Sequence, residues 1–188
     1  MTDSGTEASI SQPTLVAYGL HHHGVTVTDL DRSVRFYQEA FGAKVEFIVD
    51  FGGEGPSRIV RVPGAQMRVA SMLLPHGMLE LVQYLAPEGR PYDRTAADVG
   101  TSHLCLEVED IERAYQWMQE LGVDCRYPPQ HVYEGPRAGL SFFYLHDPDG
   151  LPIELLQYHK PGHPQSIAAC STSDAGATAA ETVQDGQA

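Results

Sequence analysis

The chain has 188 residues, 42% apolar and 20% charged, which suits one domain of upper size or two small modules sharing a core and excludes disorder along the whole length. Twelve Lys and Arg against 25 Asp and Glu leave a formal charge of −13, which argues against nucleic acid or an anionic membrane as a partner bound through phosphate neutralisation. No apolar run approaches the roughly 20 residues of a bilayer span, no signal peptide is visible, and Cys105, Cys125 and Cys170 form no C-x-x-C pair, so a cytoplasmic protein with reduced thiols is expected.

Residues 1–15 are polar and small and read as a disordered N-terminus. Val25 and Val27 alternate with polar or small neighbours and open a first module, residues 16–92, with a strand. Asp29 stands where a helix N-cap belongs, Leu30, Val34, Tyr37 and Phe41 follow at helical spacing, and Gly42 is placed as the stop. Four β-rich runs come next: Lys44–Phe51, Arg58–Val62, Met67–Leu74 and Met78–Tyr84. The second module, residues 93–161, repeats the plan. Leu104, Leu106 and Val108 form its strand, Asp110 its N-cap, Ile111, Ala114, Tyr115, Met118 and Leu121 its helix face, and Gly122 its stop. Asp124–Tyr127, Leu140–Leu145 and Pro152–Tyr158 read as strands, the last two joined by the turn His146-Asp147-Pro148-Asp149-Gly150. Residues 162–188 are rich in Ala, Ser, Thr, Gly and Asp and read as a disordered tail, and deleting residues 165–188 is expected to leave stability unchanged.

The duplication is explicit. His22 to Arg32 aligns with His103 to Arg113 at an offset of 81, and Glu80-Leu81-Val82-Gln83-Tyr84 matches Glu154-Leu155-Leu156-Gln157-Tyr158 at four of five positions. The reading is β-α-β-β-β, twice, an α+β fold. Each copy carries one histidine on its opening strand, His22 or His103, and one glutamate on its closing strand, Glu80 or Glu154. Side chains alternate across a strand, so His22 shares a face with Gly24 and Thr26, opposite Val25 and Val27. A carboxylate inside an apolar strand is costly to bury without a partner. One divalent cation would partner both glutamates, and two imidazoles with two carboxylates suit a first-row transition metal. His76, His146, His159 and His163 read as solvated, and His131 as a pocket rim.

The motifs HHGVTVTDLDRSVRFYQEAFG, LELVQY, SHLCLEVEDIERAYQWMQELG and YLHDPDGLPIELLQY resemble the vicinal oxygen chelate superfamily, which includes glyoxalase I, methylmalonyl-CoA epimerase, extradiol dioxygenases and bleomycin-resistance proteins. The resemblance covers about His21 to Tyr158. It implies paired βαβββ modules forming a half-open β-barrel around one divalent ion (Fe, Mn, Co, Ni or Zn), with His22, Glu80, His103 and Glu154 as ligands. It also implies a small bidentate oxygen substrate, an isomerase or lyase reaction through a metal-bound enolate or enediolate, and Glu154 or Glu80 as the base. Two alternatives stay open. An Fe(II) dioxygenase of extradiol type would use His22, His103 and Glu154 with Glu80 displaced, and a sequestering protein of bleomycin-resistance type would bind without chemistry. A homodimer is expected by analogy.

Overall fold

The computed structural model describes residues 17, 19–160, 163 and 165–167. The expected disorder of residues 1–15, and of the tail beyond residue 167, falls outside the described residues. The chain runs β1 (His23–Thr26), α1 (Leu30–Phe41), β2 (Lys44–Gly52), α2 (Glu54–Val60), β3 (Gln66–Leu74) and β4 (Gly77–Ala86), then β5 (Leu104–Glu107), α3 (Ile111–Glu120), β6 (Gln130–Val132), β7 (Leu140–His146) and β8 (Pro152–Tyr158). The strands form two sheets of four, ordered β1-β4-β3-β2 and β5-β8-β7-β6. In each, the first strand pairs in parallel with the last and the other pairs are antiparallel. These are the two βαβββ modules. The sheets stay separate and are not closed into a barrel.

The same local chemistry builds both modules. The Asp29 and Asp110 carboxylates accept from the backbone N–H of Arg32 and Arg113, each at 3.0 Å, and so cap α1 and α3. Gly42, at φ 65°, ends α1 in the left-handed conformation a glycine adopts without a Cβ penalty. A second duplicated device lies in the closing strands. Gln83 Oε1 accepts from Leu30 N at 3.1 Å while its Nε2 donates to the Thr28 carbonyl at 3.0 Å. Gln157 does the same for Ile111 N, at 3.0 Å, and the Glu109 carbonyl. The repeated glutamine therefore ties each closing strand to the start of its helix, satisfying a backbone donor that the helix leaves unpaired.

One apolar core spans both modules, with Leu30, Tyr37, Met72, Leu79 and Leu81 on one side and Ile111, Phe143, Leu145, Ile153 and Leu155 on the other. Its polar joint is the turn between β7 and β8. Asp147, 5% exposed, accepts from the N–H groups of Asp149 and Leu151 at 2.9 and 2.8 Å and from the Tyr37 hydroxyl at 3.2 Å. Asp149 accepts from Thr28 Oγ1 at 2.5 Å and from Arg32 Nη2 at 2.7 Å. The turn is thus also the clasp that holds module two to α1.

Two expected strands are absent. Arg58–Val62 falls on α2 and the turn after it. The β2–β3 ladder already pairs Lys44–Gly52 with Gln66–Leu73, and α2 is its seven-residue connection, ended by Arg61 at φ 58°. The Ile and Val content suggested a strand, but Ile59 is 83% exposed and packs in no sheet. Asp124–Tyr127 is irregular, and β6 starts only after Pro128 and Pro129, which bring no N–H to a ladder. Within the tail, Glu107 accepts from the Ser166 hydroxyl and, at 2.5 Å, from Ile167 N, and His163 stacks on Tyr158 at 4.2 Å. These contacts give residues 163 and 165–167 a reason to be ordered that composition did not show.

Candidate metal centre

In each module the histidine is the residue just before the first strand, and the glutamate sits on the neighbouring closing strand. Glu80 is in register with Gly24 of β1 and Ser71 of β3. Its neighbours Leu79 and Leu81 are 1% and 0% exposed and turn toward the helix-covered core, which sends Glu80 to the opposite face. Glu154 is in register with Cys105 of β5 and Tyr144 of β7. Ile153 and Leu155, both 0% exposed, fix it the same way. The absence of a side chain at Gly24 leaves open space above the first pair.

The two pairs differ in tightness. His22 Nε2 lies 4.0 Å from Glu80 Oε1, with both side chains about two-fifths exposed. His103 Nε2 lies 3.1 Å from Glu154 Oε2, and the Glu154 side chain is only 8% exposed. Burial first, and then the Glu154 carboxylate, push both the Tyr144 hydroxyl and the Cys105 thiol up to about 12, with the Arg137 guanidinium opposing the shift. At neutral pH both groups therefore stay protonated and present hydrogen-bond donors to Glu154. Tyr144 also meets the His103 ring edge to face at 5.8 Å. Beside His103 opens a cleft of about 700 Å³.

The four sequence-nominated residues therefore form two pairs, His22 with Glu80 and His103 with Glu154. Among the described residues, no group of three or more His, Cys, Asp or Glu side chains in one chain is placed to hold a metal ion. The donor chemistry still fits a cation. Glu154 is a buried carboxylate whose ion-pair partner among the described residues is one imidazole, and each pair offers one nitrogen and one oxygen donor.

Two histidines read as rim or solvated have partners instead. On the helix-facing side of the second sheet, the fully buried Ser141 hydroxyl lies 2.6 Å from His131 Nδ1 and 2.5 Å from His159 Nε2. One hydroxyl can donate to one ring while accepting from the other, so both rings serve to satisfy a buried polar group. No local signal in the sequence marks this cluster, because it depends on the register that sets His131 against Ser141.

The Glyoxalase/Bleomycin resistance protein/Dioxygenase superfamily profile matches residues 19–155, and the chain belongs to this superfamily, the vicinal oxygen chelate proteins. It is 33% identical over 145 residues to a 2-epi-5-epi-valiolone epimerase from an Actinomyces species, covering 74% of this chain and 79% of that one. It is 30% identical over 154 residues to the lactoylglutathione lyase of Schizosaccharomyces pombe, covering 74% of this chain but only 47% of the longer relative. A glyoxalase family protein of Bacillus cereus shares the fold at a TM-score of 0.66 and 20% identity, over 78% of this chain and 98% of that structure. No helix among the described residues is long and apolar enough to cross a membrane.

Proposed function

We propose that this protein is a metal-dependent isomerase or lyase acting on a small substrate through two adjacent oxygens, and that each centre joins His22 and Glu80 of one copy to His103 and Glu154 of a second. The observation that carries the reading is the pair of matched His–Glu half-sites, which repeat in register and stay apart within one chain. The epimerase and lyase relatives support the reaction class. Strand β2 supports the second copy. It is an edge strand, and Phe47, Ile48, Val49 and Phe51 are each between 37% and 48% exposed on it, an apolar surface of the kind that marks an interface.

A divalent ion in such a centre supplies Lewis acidity toward the substrate oxygens, which acidifies the adjacent C–H. The residues divide the remaining work. Glu154, buried beside His103 and faced by the Tyr144 and Cys105 donors, is the fixed ligand and holds its position through the reaction. Glu80, half-exposed and 4.0 Å from its imidazole, is the carboxylate free to swing toward carbon and carry the proton.

Mixing two damaged variants tests both parts. His22→Ala/Glu80→Ala and His103→Ala/Glu154→Ala should each lose bound metal and activity. After unfolding and refolding together, heterodimers regain one intact centre, so metal content should return to about a quarter of wild type, half the dimers with half their centres. Mixed dimers that bind no metal, or a monomeric wild-type protein that binds it fully, would overturn the shared centre. The Fe(II) dioxygenase alternative predicts O₂ uptake that survives Glu80→Ala, whereas proton exchange at carbon should not survive it.

A further inference from the structure

The chain carries 25 acidic and 12 basic side chains, so a random stretch of its surface is acidic. The cleft beside His103 is not. Its lining includes Arg94, Arg126, His103 and His146, and no Asp or Glu. Arg94 belongs to the segment between β4 and β5 and Arg126 to the irregular segment before β6, so two separate parts of the chain bring guanidinium groups to one opening. The acids nearest Arg94 in sequence are Asp93 and Asp98; Asp98 is taken up by Thr95, accepting from its N–H at 2.7 Å and its hydroxyl at 2.9 Å. Neither Arg94 nor Arg126 has an ion-pair partner among the described residues. The lining also carries the aromatic rings of Tyr127, Phe142 and Tyr144, and Tyr144 stands in register with Glu154 on the neighbouring strand.

We propose that this cleft captures the anionic end of the substrate, a carboxylate or phosphate ester on a ring-sized body. The anion sits on Arg94 and Arg126, the body lies along Phe142 and Tyr144, and the reacting oxygens point to His103. This names the substrate class for the centre proposed above and rests on that reading for the reacting end; anion capture itself needs no metal. A guanidinium suits either anion through paired N–H donors. Concentrating positive charge in one opening of a protein of net charge −13 also steers anions there and away from the rest of the surface.

Chelator-treated full-length protein, titrated by calorimetry with phenyl phosphate, benzoate and benzyl alcohol, tests the idea without metal. At least one anion should bind about tenfold more tightly than the alcohol and weaken as salt is raised. Arg126→Gln and Arg94→Gln should each weaken that anion several-fold and leave the alcohol unchanged. Binding of phenyl phosphate alone assigns a phosphate ester, and of benzoate alone a carboxylate. Equal affinity for the alcohol, arginine variants that bind like wild type, or no binding of any probe at about 10 mM would overturn the proposal. If a variant fails to fold, salt-independent binding of the anions to wild type overturns it equally. Failure of the shared metal centre would show in the mixing experiment and leave these titrations untouched.

Discussion

The two modules share their helix N-caps, their glutamine ties and their strand order, yet they hold their carboxylates differently. Glu154 is buried and 3.1 Å from His103, while Glu80 is half-exposed and 4.0 Å from His22. The surroundings explain the contrast. Tyr144 stands opposite Glu154 in the β7–β8 ladder and covers it, whereas Ser71, opposite Glu80, turns its hydroxyl to Glu46 at 2.8 Å and offers Glu80 no cover. Duplication preserves what the backbone needs and lets the cover over each glutamate diverge, which leaves one carboxylate buried and one half-exposed.

The largest expected effect breaks or confirms that contrast directly. His103→Ala should lower metal content at least tenfold with the fold retained, because it strips the tighter pair of its nitrogen donor. His22→Ala should lower it less, and equal losses measured by elemental analysis would erase the asymmetry. Next in size is the clasp between the modules. Asp147→Ala removes the acceptor of three hydrogen bonds from a buried position and should cost about 2–3 kcal/mol in urea unfolding. The glutamine ties should behave as a matched pair, with Gln83→Ala and Gln157→Ala each costing about 1–2 kcal/mol and neither changing metal content. Unequal costs would show that the duplicated device no longer does the same work in both halves.

Acid sensitivity separates the clasp's two aspartates. For Asp149, burial alone would raise the carboxyl, but hydrogen bonds from Thr28 and Arg32 outweigh it and hold the group below the ordinary range. Its contribution to stability is therefore present above the unfolded value of about 3.9 and is lost as pH falls through the lower folded value. For Asp147, burial dominates and raises the carboxyl despite its donors, so protonation on acidification favours its folded form. Asp149→Asn should flatten the loss of stability below about pH 4, and Asp147→Asn should not, as read from melting temperature against pH. The smallest effect is expected in the tail. Ending the chain at Lys160 removes the Ser166 and Ile167 contacts to Glu107 and should cost about 1 kcal/mol, where composition alone suggested none.

Much of this was legible in the residues. The offset of 81 between His22 and His103 marked the duplication, Asp29 and Asp110 marked the helix starts, and the buried leucine and isoleucine residues flanking each glutamate marked the core face and so the opposite face that carries Glu80 and Glu154. These are short-range signals, carried by alternation, capping and repetition. The misread segments have a common cause. Arg58–Val62 has strand composition but no ladder left to join, and the roles of His131 and His159 exist only because register sets them around Ser141.

From the sequence alone come the two-module plan, the identity of the four nominated ligands and the superfamily resemblance, because local backbone chemistry and side-chain alternation write them within a few residues of each other. Only the tertiary structure decided that His22–Glu80 and His103–Glu154 stand as separate pairs, that the β7–β8 turn clasps α1, and that arginines from two distant segments share one acid-free cleft. The first two depend on where the two sheets lie relative to each other and the third on how irregular segments fold against the second sheet, and such placements are set by packing rather than by any local run of residues.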